Sequence, residues 1–455
     1  MNLVFLALVV VAFATAAWRQ WHWQPPAQAS GGAAAEDAAA QAAQAAQAAS
    51  GPMEQLSAGM ISSASGAIEL AIGLVGVMAL FLGLMKVAEE GGMLLVLAKL
   101  IRPLLVRLFP QVPANHPAMG AMVLNMSANA LGLGNAATPF GIRAMQALDA
   151  LNPRPGTATN AMVMFLAINT SSVTLLPAKV IAIRAASGSM DPAGVLPTTL
   201  FATAASTLAA IVAVWSLQRF FPMGQATPQE LAMQRPWIAA PAGEEGDSAL
   251  AQQQAYPLWV SLLALAAIAL AIPASIVWGK RIAPWIVPGM MVGFLLFGWL
   301  RGVRIYEAFV EGAKGGFEVA LRIMPYLVAI LVAVGMLRSS GALDVLVGAL
   351  AVFTAPLGLP AEALPMALLR PLSGSGAYGV MTATLNDPAI GPDSYVGYLV
   401  STIMGSSETT FYVLAVYFGA VQVRRIRHAL LAALLADAVA VMASVAICSY
   451  LFAGR

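Results

Sequence analysis

The chain has 455 residues, of which 60% are hydrophobic and only 10% charged. A soluble domain carries about 25% charged residues and is about half apolar, so a cytosolic enzyme and a disordered chain are excluded and a polytopic membrane protein is expected. A net charge of +2 gives no footing for nucleic acid, and the single cysteine, Cys448, excludes an internal disulfide, a cysteine-rich metal site and an iron–sulfur cluster.

A membrane-crossing helix needs about 20 mostly apolar residues. Nine segments qualify, at roughly 1–17, 67–86, 159–182, 194–217, 258–277, 284–300, 317–337, 398–420 and 429–452. The first ends near Ala14-Thr15-Ala16-Ala17, as a signal peptide would. No Lys or Arg stands at its start, which favours an uncleaved anchor over residues 1–20. Residues 21–56 read as a tether, because the Ala/Gln tract has no apolar face to bury. A first repeat domain follows at 57–218. The linker 219–256 holds Pro222, Pro228, Pro236, Pro241 and the acidic cluster Glu244, Glu245 and Asp247. Connecting membrane helices occupy 257–304, and a second repeat domain 305–455.

Two further apolar stretches, 115–135 and 361–383, are studded with Gly, Asn, Ser and Pro. Such backbone sits at membrane depth only where protein or a water-filled cavity satisfies it. Both are expected to be re-entrant hairpins, each preceded by a short amphipathic or apolar helix, at 93–109 and 342–356. With the N-terminus in the cytoplasm, most basic residues, among them Lys86, Arg102, Arg219, Arg301 and Arg424, fall on cytoplasmic segments. The C-terminus then lies outside.

The two halves repeat one another. Gly66-Ala67-Ile68-Glu69 corresponds to Gly315-Gly316-Phe317-Glu318, and Glu90-Gly91-Gly92-Met93-Leu94 to Ser339-Ser340-Gly341-Ala342-Leu343. Leu131-Gly132-Leu133-Gly134-Asn135-Ala136 then corresponds to Leu372-Ser373-Gly374-Ser375-Gly376-Ala377. Last, Thr170-Ser171-Ser172-Val173-Thr174 corresponds to Gly405-Ser406-Ser407-Glu408-Thr409. Five expected crossings separate the two starts, and an odd number inverts the second repeat. Inverted repeats with broken helices meeting near the midplane are a recurrent plan of secondary transporters.

Polar groups inside a membrane are expensive, so each needs a partner or a function. The first hairpin tip offers the carboxamides Asn125, Asn129 and Asn135; the second offers Arg370, Ser373 and Ser375, a cradle for an anionic or polar group. Asn169, Ser171 and Ser172, and Ser407 with Glu408, mark unwound points in two discontinuous helices. The expected solute contacts are Asn129, Asn135, Asn169, Ser171, Ser172, Arg370, Ser373, Ser375 and Ser407. Glu408 is the candidate ion-coupling carboxylate, with Na⁺ or H⁺ as the ion, or else a partner for Arg370. Glu69 and Glu318 stand near expected helix starts, where the dipole favours an anion. With Arg322 and Asp437 they are candidates for buried ion pairs. Lys179 is expected to snorkel to the surface without a role. No nucleotide-binding G-x-x-x-x-G-K-[ST] is present, and Gly374-Ser375-Gly376 lacks the first glycine and the base of a serine hydrolase, so no enzymatic activity and no resident cofactor are expected.

At these residues the chain resembles a known family. The stretch Gly120 to Ala210, with Leu131-Gly132-Leu133-Gly134-Asn135-Ala136-Ala137-Thr138-Pro139, resembles bacterial spore maturation protein A. The stretch Tyr306 to Asp437, with Arg370-Pro371-Leu372-Ser373-Gly374-Ser375-Gly376-Ala377, resembles spore maturation protein B. The chain is similar to a fusion of the two, both carrying the nucleoside-recognition "gate" domain. The resemblance implies an all-α polytopic membrane protein of the bacterial inner membrane with two inverted gate repeats, each with a re-entrant hairpin and a discontinuous helix. The expected activity is secondary transport of a small polar or anionic solute, with the bilayer and that solute as partners and a homo-oligomer, dimer or trimer, compatible with the architecture. The alternative is a non-transporting envelope scaffold.

Overall fold

The computed structural model describes residues 2–23, 50–132, 134–171, 174–223, 255–343 and 358–452, with isolated positions between 344 and 357. The expected tether, most of the linker and the short helix at 342–356 therefore fall largely outside the described residues. The described chain is helical. Helix α1 (Asn2–Trp21) packs through Ala12 and Ala16 against the membrane helices that follow, and Arg19 donates to the Ser340 carbonyl at 2.9 Å.

Helix α2 (Pro52–Glu90) starts at a Gly51-Pro52 step, where the Glu54 carboxylate reaches back to the Gly51 N–H at 3.2 Å. It pairs antiparallel with α10 (Ile305–Ser339), the helix that opens the second half. The register is written in glycines. A Cβ added to Gly83 would meet the Phe309 ring and carbonyl at 2.8 Å, and one on Gly316 would meet the Ala79 N at 2.5 Å. At the other end, Gly59 faces Ser339 and Gly335 faces Ser63. Small residues let the two backbones approach, the usual basis of helix association in lipid. Both helices begin well before the apolar runs that announced them. Glu69 and Glu318 therefore lie in helix interiors, not at dipole-favoured starts, and both are exposed. The expectation that they form buried ion pairs is corrected by that exposure.

Helix α3 (Met93–Leu108) leads to the first hairpin, α4 (Pro117–Ala130) and α5 (Gly134–Ala150). Its returning arm is longer than the stretch 115–135. At its tip Gly132 has φ +76, and a Cβ there would meet the Leu176 carbonyl at 2.7 Å, so glycine is required twice over. Helix α6 (Asn160–Ser171) is buried on every side from Ala161 onward, as an all-round apolar helix must be. The chain unwinds after it and resumes as α7 (Ala178–Ala186) and α8 (Leu196–Leu217).

Leu258–Leu300, α9, is helical throughout where two spans were expected. It is not straight. Ser261 donates to the Leu100 carbonyl, while Gly91 and Val87 abut Phe297 and Gly298. A straight helix would hold Ser261 and Phe297 about 54 Å apart, whereas Gly91 and Leu100 cannot lie more than about 30 Å apart even when extended. The element therefore bends between Ser261 and Phe297.

The second hairpin runs through a 3₁₀ turn (Ala361–Ala363) and α11 (Leu364–Leu369) to a tip at 370–373, returning as α12 (Gly374–Leu385). Helices α13 (Tyr395–Ser406) and α14 (Thr410–Ala420) are separated by a break, and α15 (Ala429–Phe452) ends the described chain. Pro52–Glu90, Pro192–Phe220 and Ala429–Phe452 are long and apolar enough to cross a bilayer by length and composition. The fold is an all-helical, multi-pass membrane architecture.

Two arginine clasps tie the halves together. In the last turn of α7, Arg184 is wholly buried; it donates to Asp393 Oδ1 at 3.0 Å and to the Pro392 carbonyl at 2.7 Å, in the loop before α13. Beyond α14, Arg427 donates to the Ala158 carbonyl at 3.0 Å, in the loop before α6, and to Oδ1 of Asn160, the first residue of α6, at 2.8 Å. Each half grips the loop that enters the other half's broken helix.

Candidate functional site

The broken helices meet. In the first break Leu175 N–H donates to the Ala130 carbonyl at the first hairpin tip, 2.9 Å away. In the second, Phe411 N–H donates to the Pro371 carbonyl at the second tip, 3.1 Å away. Ala130 and Pro371 occupy corresponding places in the aligned tips. The two breaks then join directly, with Glu408 N–H donating to the Thr170 carbonyl at 2.8 Å. Backbone freed by unwinding is thus satisfied by the tips and by the other break, as an interior without water demands.

Around this junction lies a cleft of about 480 Å³, within the usual range of small-molecule sites. Asn129, Asn169, Arg370, Ser373, Ser375 and Glu408 line it, contributed by both halves. A smaller cavity of about 60 Å³ adjoins it, lined by Gly405, Ser407 and Thr174 and sharing Asn129, Arg370 and Glu408. Asn129 Nδ2 donates to Asn169 Oδ1 at 2.9 Å, and Asn169 Nδ2 donates to the Phe165 carbonyl at 2.9 Å. Asn125 is buried behind them, donating to the Ala137 carbonyl at 2.8 Å and to the Tyr417 hydroxyl at 3.1 Å. This network holds the Asn129 and Asn169 carboxamides in place at the cleft.

On the opposite wall Arg370 is 4% exposed. Its Nη1 donates to Thr409 Oγ1 at 3.1 Å, and Nη2 lies 3.7 Å from Glu408 Oε2. The Glu408 side chain is 43% exposed, so the carboxylate faces the cleft while leaning on the guanidinium. Ser373 caps α12, its Oγ accepting from Gly376 N–H at 3.1 Å, and stands 3.4 Å from Ser375 Oγ. Asp437 is buried in α15 and accepts from Thr410 Oγ1 at 2.6 Å, which ties it to the start of α14 rather than to the cleft.

Ser171 is not at the site. Its helix persists through residue 171 and turns the hydroxyl toward α8, where it lies 3.1 Å from Thr207 Oγ1 while its proton goes to the Ile168 carbonyl at 3.0 Å. Ser172 lies outside the described residues. So do the side chains of Asn135, whose backbone opens α5, and Arg322. Sequence reasoning missed Tyr378, Tyr412 and Tyr417, which line the cleft, and Lys179, which lines both cavities. Lys179 is a lone cation just after Leu176-Pro177, where the chain resumes as a helix. That break is the signal that it turns inward.

The family described as "Gate: Nucleoside recognition" matches the chain twice, over residues 71–187 and 320–424. The matched stretches contain the two hairpins and the two breaks. Spore maturation protein B of Bacillus subtilis (strain 168) is 47% identical over 166 residues, covering 36% of this chain and 92% of that protein. Spore maturation protein A of the same organism is 40% identical over 171 residues, covering 38% of this chain and 85% of that protein. The chain belongs to the family of spore maturation proteins A and B. With two gate matches in one polypeptide, it carries in a single chain what that organism divides between two. The crystal structure of the Alcanivorax borkumensis YdaH transporter aligns over 98% of this chain and 97% of its own, at 13% identity and a TM-score of 0.35, a likeness too slight to argue from.

Proposed function

We propose that this member of the family is a secondary transporter of a small polar or anionic solute in the bacterial inner membrane, with its N-terminus cytoplasmic and its C-terminus external. The observation that carries the reading is the direct bond between the two breaks, Glu408 N–H to the Thr170 carbonyl, at the edge of a cleft lined by both hairpin tips. A packing scaffold has no need to hold two unwound segments around a polar hollow, because each polar group there costs free energy in lipid. The antiparallel run of α2 and α10 is what an inverted pair of repeats requires, and the two clasps supply a latch for each end of the site. In this reading Asn129, Asn169, Ser373 and Ser375 orient the solute and Arg370 attracts it. Glu408, exposed to the cleft, takes up H⁺ or contributes to a Na⁺ site as the two latches exchange. No resident cofactor and no chemistry on the solute are involved.

The test is uptake by proteoliposomes holding the purified chain, against a panel of radiolabelled carboxylates, sugars and nucleosides. Saturable uptake of one class, abolished by both Glu408→Gln and Arg370→Ala, is expected. Absence of uptake across the panel, with host function fully complemented by the double variant, would establish the scaffold instead.

A further inference from the structure

Among the described residues, three charged side chains line the cleft: Lys179, Arg370 and Glu408. Arg370 and Glu408 lie 3.7 Å apart and compensate one another, and Arg370 is further tied to Thr409. Lys179 is partly buried and lines both the cleft and the small cavity beside it. Among the described residues it has no hydrogen bond and no ion pair. The Nε of Arg370, on a side chain only 5% exposed, is also buried without a partner. Among the described residues the cleft thus carries one uncompensated positive charge. A cation that faces a polar cleft with no anion beside it presents an attractive field to one.

We infer that Lys179 is the specificity-determining anion contact of the cleft, and that the solute it takes carries one net negative charge, as a monocarboxylate does. This rests on the transport reading only for the location of the site. Lysine suits the role because its ammonium is a compact charge on a flexible stem, able to follow an anion from the small cavity into the larger one. Arg370, held by Thr409 and Glu408, stays fixed as the wall. A neutral solute would leave the lysine uncompensated. A zwitterion would set its cationic group against Arg370 for possession of Glu408.

The experiment measures thermal unfolding of the purified full-length chain with three matched pairs of probes: acetate and acetamide, benzoate and benzamide, nicotinate and nicotinamide. For at least one pair the anion stabilises the parent chain more than its amide does. Lys179→Met removes that difference, raising the half-stabilising concentration of the anion at least tenfold, whereas Lys179→Arg retains most of it. The inference is overturned if no pair distinguishes anion from amide, or if the difference survives Lys179→Met. An anion effect that depends on Lys179 without uptake in proteoliposomes would keep the site and remove transport. Uptake that depends on Arg370 but ignores the charge of the probe would keep transport and remove this assignment.

Discussion

Asp393→Ala should open one end of the molecule and leave the other closed. The Asp393 carboxylate accepts from Arg184 Nη2 at 3.0 Å, from Ser189 Oγ at 2.6 Å and from Met190 N–H at 2.8 Å. Arg184 is fully buried, whereas the Asp393 side chain is 26% exposed. Removing one partner from a buried ion pair costs about 3–5 kcal/mol. The exposure of Asp393 reduces that, and Arg184 keeps the Pro392 carbonyl and the Tyr398 ring at 4.1 Å, so about 2–3 kcal/mol is expected. Because the loss is confined to the segment 187–194 and its seat before α13, it should appear as local opening rather than as global unfolding. At about 1.4 kcal/mol per tenfold, amide exchange in 187–194 should accelerate about 30- to 150-fold. Exchange in 156–160, held by the Arg427 clasp, should stay within about threefold of the parent. Unchanged exchange in 187–194, or equal acceleration at both ends, would refute the idea of two separate latches.

Gly316→Ala should destabilise by about 1–3 kcal/mol, since its Cβ would fall 2.6 Å from the Ala79 Cα and backbone must give way. Gly73→Ala, on the partner helix with nothing within 4 Å, should be neutral or stabilise by up to about 1 kcal/mol, and the two unfolding midpoints compared in one detergent decide the matter. His428, just before α15, is wholly buried with no hydrogen bond to either ring nitrogen, and burial together with the adjacent Arg427 charge pushes its pKa down to about 4. Its neutral form therefore stabilises the fold at pH above about 6.5, and that contribution, up to about 3 kcal/mol, is lost as pH falls toward 4 because the unfolded chain gains the proton first. Unfolding midpoints at pH 7.5 and 4.5 should converge in His428→Phe, and an unaltered pH slope would contradict this origin.

The breaks and tips were legible because a membrane interior punishes unsatisfied polar groups. Thr170 and Glu408 stand in hydroxyl-rich stretches of otherwise apolar segments, and both prove to lie where the helices end. The repeat was legible for the same reason, since Gly132 and Ser373 are needed at equivalent tips. The helix starts were not. Reading them from the onset of hydrophobicity placed Glu69 and Glu318 wrongly, although Gly51-Pro52 with Glu54 carried the true start signal. Ser171 and Lys179 failed in opposite directions. Which way a hydroxyl or an ammonium points depends on how far α6 runs before unwinding and how sharply the chain turns at Pro177. Both are set by contacts with α8 and the first tip, which no local pattern records.

The central claim, that hairpin tips from both halves converge on one solute site, is tested most directly by an experimental structure of the chain saturated with the solute that uptake identifies. Density between the Asn129–Asn169 pair and the Arg370–Ser375 wall, within hydrogen-bond reach of both, is the predicted result. Density on one half alone, or tips separated by a slab of packed side chains, would contradict the account.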